Sequence, residues 1–189
     1  MMKNDFLDKT NINPIIVAVN SSEMIEAAIK SQCEIIFLLK GSIFNLKGIV
    51  DKVKENGKNI YVHIDLMDGF SKDVAALKYI CQIIKPDGII TTKSSLIKAA
   101  KQFNMFAIQR LFIIDSLSLE TGINSVKQNK PDAIEIMPGI MPKVTKIISQ
   151  ETKLPIITGG LIKDKEDVVN SIKAGAIGIS TSKLEIWEM

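Results

Sequence analysis

The sequence is poor in the residues that usually announce chemistry. Cys33 and Cys81 are the only cysteines in 189 residues. They are too few and too far apart for a disulfide framework or a thiolate metal site, and they read as buried thiols in a reducing compartment. His63 is the only histidine and Arg110 the only arginine, the other basic residues being lysine. There is no cluster with metal-ligand spacing, no reactive-cysteine setting and no Gly-x-Ser-x-Gly elbow. Aromatic residues make up 5% of the chain, which leaves little for stacking on nucleic-acid bases. No apolar run approaches the roughly 18–20 residues of a membrane helix. Residues 1–9 include acidic side chains and no apolar core, so no secretion signal is expected and a cytoplasmic location is. The formal net charge of +3 permits an acidic partner without requiring one.

What the sequence does have is rhythm. Apolar residues form 46% of the chain, enough for the core of one globular domain. Short β-branched runs, the signature of parallel strands buried on both faces, recur at 13–19, 34–39, 59–65, 86–90, 105–110, 131–137, 154–160 and 174–180. Between them lie segments with helix formers or amphipathic spacing: 20–30, 46–55, 71–84 behind Ser71 as cap, 95–103, 117–128, the stretch after Pro142, 165–173 behind Asp164, and 184–188. The same turn from helix end into strand recurs at Lys85-Pro-Asp-Gly, Lys130-Pro-Asp-Ala and Lys173-Ala-Gly-Ala. Eight such alternations over 189 residues predict a compact (β/α)8 TIM barrel, a single domain over residues 1–189 with residues 1–12 as an N-terminal extension. An open doubly wound sheet is the competitor, but nothing resembles its glycine-rich first turn.

In a barrel, function belongs to the C-terminal ends of the strands, and the loops after the last two frequently hold phosphate. Those loops are Thr158-Gly159-Gly160 and Ser180-Thr181-Ser182. Glycines let the backbone approach an anion closely, and hydroxyl residues suit the start of a helix, where free N–H groups point outward. The other strand ends carry Lys40, Asp65, Asp68, Lys93, Arg110 and Glu135. Charges inside an apolar sheet need a partner or a ligand, so Glu135 and Asp65 are expected to face the lumen, each open to an ion pair with Lys93 or Arg110. His63, two residues before Asp65, shares its strand face and is either a proton-transfer group or a held barrel histidine. Lys52, Lys54, Lys58, Lys127, Lys130, Lys143 and Lys146 lie on outer segments, where solvated helix faces are the ordinary role and phosphate contact the other.

The segments His63-Ile-Asp-Leu-Met-Asp-Gly69, Gly88-Ile-Ile-Thr-Thr-Lys93, Ile108-Gln-Arg-Leu-Phe-Ile-Ile-Asp115, Lys130-Pro-Asp-Ala-Ile-Glu-Ile-Met-Pro-Gly139, Pro155-Ile-Ile-Thr-Gly-Gly160 and Ala174-Gly-Ala-Ile-Gly-Ile-Ser-Thr-Ser182, with Trp187 just beyond, run in order through the chain. Taken together, they resemble the glycerol uptake operon antiterminator regulatory proteins. The resemblance implies a barrel that responds to glycerol 3-phosphate by binding leader mRNA of glycerol-utilisation genes, with no cofactor, no catalysis, and a possible homo-oligomeric state. It implies phosphate held by Gly159, Gly160, Ser180, Thr181 and Ser182, and polar contacts from Asp65, Lys93, Arg110 and Glu135. The chain departs from the family pattern in having Asn20 where arginine is usual, and in the loop at Lys40. The alternative is an enzyme acting on a small phosphorylated metabolite (an isomerase, lyase or synthase), with His63, Asp65 and Glu135 supplying acid–base groups.

Overall fold

Ile, Val and Phe in short runs favour extended backbone with side chains on both faces of a sheet, and the chain places eight such runs side by side. The computed structural model describes residues 2–189. Its strands are β1 (Ile15–Val19), β2 (Ile35–Leu38), β3 (Asn59–His63), β4 (Gly88–Thr91), β5 (Phe106–Phe112), β6 (Ala133–Met137), β7 (Ile156–Gly159) and β8 (Gly178–Thr181). All pair in parallel, and β8 closes on β1 to complete a barrel. The helices are α1 (Met2–Ile12), α2 (Met24–Lys30), α3 (Leu46–Glu55), α4 (Val74–Tyr79), α5 (Ser94–Gln102), α6 (Ser116–Asn129), α7 (Pro142–Thr152), α8 (Lys165–Lys173) and α9 (Leu184–Trp187). The (β/α)8 expectation holds.

Strand alternation sorts the core into two layers. Ile16, Phe37, Tyr61, Ile90, Ile108 and Ile157 fill the barrel interior. Val17, Ile36, Val62, Ile89 and Ile179 pack outward against helix residues such as Val50, Leu77 and Ile97. On the interior face the alternation puts Arg110 two residues beyond Ile108 and Glu135 two beyond Ala133, at one end of the barrel. Their strands pair with Arg110 directly beside Glu135.

Residues 2–12 form helix α1, which seals the opposite end. Its Phe6 is fully buried, with ring centroids 5.2 Å from Tyr61 and 5.0 Å from Phe106. Asn59 donates to Asp5, and Lys9 donates to the Asn59 side-chain oxygen at 3.0 Å. Burying one phenylalanine is worth about 1.5–3 kcal/mol, so this short helix contributes noticeably to the stability of the barrel.

Two local features differ from the sequence expectation. Helix α4 is capped by Asp73, whose carboxylate accepts from Ala76 N at 2.9 Å, and not by Ser71. The helix then widens to a π turn over Ile80–Ile84, ending at Lys85 in the left-handed region. In addition, Gly41–Ser42 and Met67–Asp68 pair as a two-residue parallel ribbon outside the barrel, which ties the loops after β2 and β3 together.

Candidate functional site

At the C-terminal mouth of the barrel lies a cavity of about 320 Å³. Its floor holds Arg110 and Glu135, which are nearly removed from water, with side-chain exposures of 5% and 1%. Arg110 Nε donates to Glu135 Oε2 at 2.7 Å. A charge-assisted bond of this kind is stronger than a neutral one, and in this surrounding neither charge is tolerable alone. The pairing is nonetheless incomplete on both sides. Glu135 Oε1 is buried without a partner. Among the described residues, no oxygen accepts from the terminal nitrogens of Arg110, and the residue lines the cavity. One acceptor and a pair of donors therefore remain for whatever enters.

The wall of the cavity comes from the loops after β7 and β8. Gly160 (φ +75°) and Leu161 (φ +62°) follow one another in the left-handed region, where a leucine is strained and only glycine is at ease. Successive N–H groups in such a bend form a concave nest for an anion. Among the described residues, the N–H groups of Gly160, Leu161 and Ser182 find no protein acceptor. Gly159 is needed for a different reason: a Cβ there would stand 2.9 Å from Glu135 Oε1, so any side chain would displace the carboxylate. Lys163 and Lys183 complete the wall. The lining thus carries three cations, Arg110, Lys163 and Lys183, against one carboxylate, Glu135.

Of the residues expected at the site, Arg110, Glu135, Gly160, Ser180, Thr181 and Ser182 line this one cavity, and Gly159 sits under Glu135. Arg110 is the partner that Glu135 takes. Asp65 and Lys93 stand apart from it. Strand β3 ends at His63, and a 3₁₀ turn over Ile64–Leu66 takes Asp65 off the interior face. Its carboxylate accepts from Thr92 N at 2.8 Å, Thr91 Oγ1 at 2.8 Å and Thr92 Oγ1 at 3.0 Å. Partial burial pushes that carboxyl up, but these bonds outweigh it and hold it below its ordinary value. Lys93 is exposed and donates to the Lys72 carbonyl at 3.2 Å.

His63 stays on the lumen side, buried, with Nδ1 unpartnered. Burial first, and the nearby positive charge of Arg110 second, push its imidazole down to about 4, so it is neutral at pH 7. Sequence reasoning missed Lys163, Lys183 and the strained Leu161. The usable signal was their position one to three residues beyond the glycine and serine runs.

The fold and its mouth put the chain in the class of (β/α)8 barrels with a cationic cavity at the C-terminal ends of the strands. The sequence model of the glycerol-3-phosphate responsive antiterminators matches residues 15–187. An uncharacterised protein of Escherichia coli K12, YgcP, is 40% identical over 177 residues, covering 94% of this chain and 93% of its own. The solved glycerol uptake operon antiterminator regulatory protein of Listeria monocytogenes is 36% identical, with a TM-score of 0.90 over 93% of this chain and 95% of its own. A glycerol uptake operon antiterminator-related protein of Thermotoga maritima is 31% identical, with a TM-score of 0.83 over 93% of this chain and 98% of its own. The chain belongs to the glycerol-3-phosphate responsive antiterminator family. Solved aldolase barrels at 12% identity share the fold alone.

Proposed function

We propose that this protein senses glycerol 3-phosphate in the mouth cavity and responds by binding leader mRNA of glycerol-utilisation genes in the cytoplasm, as a regulator without catalysis or cofactor. The observation that carries the reading is the composition of one cavity. Open backbone N–H groups and three cations suit a phosphate dianion, and the unpartnered Glu135 Oε1 beside them suits a hydroxyl donor. In this reading Gly160, Ser180, Thr181 and Ser182 hold the phosphate, Arg110, Lys163 and Lys183 neutralise it, and Glu135 accepts from a glycerol hydroxyl. A volume of about 320 Å³ is at the small end of ligand pockets, which fits a three-carbon phosphate.

The ligand joins two loops to the floor of the barrel, so it favours whichever arrangement of the mouth brings those groups closest. Occupancy changes RNA affinity only to the extent that one arrangement takes the ligand better. A tenfold preference corresponds to about 1.4 kcal/mol. Calorimetric titration of the purified protein tests the effector. Glycerol 3-phosphate is expected to bind at least tenfold more tightly than inorganic phosphate, and free glycerol not measurably; equal affinity for phosphate and glycerol 3-phosphate would remove Glu135 from the reading.

A further inference from the structure

The lysines of this protein differ in whether a protein group already holds them. Among the described residues, the lysines in ion pairs are Lys9, Lys47, Lys52, Lys54, Lys101 and Lys127, on α1, α3, α5 and α6, and of these Lys47 alone starts its helix beside the rim. Lys58 is likewise engaged, donating to the carbonyls of Ser31 at 2.7 Å and Cys33 at 2.6 Å. Of the outer-face lysines that looked suited to RNA in the sequence, Lys52, Lys54, Lys58 and Lys127 are thus occupied by protein partners, whereas Lys130, Lys143 and Lys146 are exposed and reach no carboxylate among the described residues. Lys40, Lys72 and Lys93 are also exposed and reach no carboxylate among the described residues, and they alone of the unpaired lysines stand together in the successive loops after β2, β3 and β4. The acidic side chains of the same arc are mostly engaged with backbone N–H groups. Asp65 accepts from Thr92, Asp73 from Ala76 and Asp115 from Ser118, leaving only Asp68 unengaged.

Of the three exposed aromatic side chains among the described residues, Phe44, Phe112 and Tyr79, the two phenylalanines lie on the same arc, and Tyr79 ends α4. Phe44, after β2, is 96% exposed, and Phe112, at the end of β5, is 55% exposed. In a chain with so few aromatics, leaving two phenylalanines in water costs burial that the core would otherwise gain. The loops that carry them form one continuous edge. The barrel order places β2, β3, β4 and β5 as successive neighbours. Ile43 N bonds Asp68 O at 2.9 Å, Thr92 N bonds Asp65, and Lys93 reaches Lys72 O.

Unneutralised lysines beside exposed aromatic rings are the elements of a single-strand nucleic-acid platform, the charges tracking phosphates and the rings stacking bases. We infer that the rim arc over β2 to β5 is the RNA-binding face, with Lys40, Lys72 and Lys93 contacting phosphates and Phe44 and Phe112 stacking bases. The inference rests on the antiterminator reading above. It places RNA at the same end of the barrel as the effector cavity, so a ligand that orders the mouth acts on the RNA face directly.

The test is a fluorescence-anisotropy titration of labelled glycerol-operon leader RNA, with glycerol 3-phosphate present, over a series of salt concentrations. The triple variant Lys40→Gln, Lys72→Gln, Lys93→Gln is expected to bind at least about tenfold more weakly, with the salt slope reduced by about 2, from roughly 0.7 per single-strand phosphate contact. Phe44→Ala with Phe112→Ala is expected to lose about tenfold or more with the slope unchanged. The flank triple Lys52→Gln, Lys54→Gln, Lys127→Gln should stay within about twofold of wild type. Rim variants that bind like wild type, or a flank triple that weakens binding as much as the rim triple, overturn the assignment while leaving the antiterminator reading in place. If the phenylalanine variant instead turns a dimer into a monomer in sedimentation and keeps its RNA affinity, the arc is a self-association face and the inference fails. A wild-type protein that binds no leader RNA with or without glycerol 3-phosphate refutes the antiterminator reading itself.

Discussion

Replacing Arg110 with glutamine separates stability from ligand binding at the floor of the cavity. Glu135 is fully buried, and among the described residues Arg110 Nε is its single hydrogen-bond partner. Removing that partner strands a carboxylate in the lumen, which costs about 3–5 kcal/mol for a buried pair. Because Arg110 also reaches the cavity, the lower end applies, and at about 2–4 °C per kcal/mol for a chain of this size the melting temperature should fall by about 6–12 °C. The double variant Arg110→Gln, Glu135→Gln removes both charges and should recover most of that loss. Ligand response behaves differently. At a concentration near 100 times Kd, glycerol 3-phosphate should stabilise the wild type by about 2.7 kcal/mol. Both variants should lose most of this, because each lacks the cation at the floor. Differential scanning calorimetry with and without ligand reads both quantities. If Arg110→Gln melts within about 1 °C of wild type, the pair does not matter as argued; a double variant with the full ligand shift shows that the floor is not the anion site.

Three other outcomes follow from single residues. Gly160→Val forces a β-branched residue to φ +75°, with its Cβ 2.7 Å from Met137 Cε, and should abolish ligand-induced thermal stabilisation; an undiminished shift would take that loop out of the site. Phe6→Ala should cost about 3–5 kcal/mol in urea unfolding, as expected for an emptied aromatic site, and a cost under about 1 kcal/mol would mean that α1 does not seal the barrel. His63, held near 4 in the fold against an ordinary 6.5, is neutral in the native state while the unfolded chain takes up a proton. Its contribution is therefore complete above about pH 6.5 and is lost as pH falls towards 4, amounting to ~3 kcal/mol across that window. In His63→Gln the drop in unfolding free energy between pH 7 and pH 5 should shrink, and an unchanged drop refutes the assignment.

The barrel was legible because its signals are repetitive. Eight apolar runs with turn residues at similar intervals leave few alternatives, and the runs that end in Gly159-Gly160 and Ser180-Thr181-Ser182 sit at one mouth because parallel strands put their C-terminal ends together. Arg110 and Glu135 were readable from period-two alternation, which holds to the end of β5 and β6. The same rule failed for Asp65, since the 3₁₀ turn after His63 replaces the alternation with a three-residue turn that no apolar pattern marks. Lys93 lies two residues past the end of β4, just before α5, and its direction depends on the Lys72 carbonyl, a contact across 21 residues. Phe6 was hidden by its polar neighbours, because the apolar contact of α1 rests on Phe6 with the partly buried Leu7 beside it, too little to leave a periodicity. The ribbon of Gly41–Ser42 with Met67–Asp68 is too short to leave any strand signature. The ion pairs that occupy Lys52, Lys54 and Lys127 link separate elements, which is why the outer lysines and the rim lysines look alike in the sequence.

The central claim is that a small phosphorylated ligand in the mouth controls RNA binding, and equilibrium titration of labelled leader RNA with and without glycerol 3-phosphate at two salt concentrations tests it most directly. Binding should strengthen with glycerol 3-phosphate and weaken steeply as salt rises. Leader RNA affinity that is identical with and without the ligand, or no RNA binding together with turnover of a triose or sugar phosphate, would contradict it.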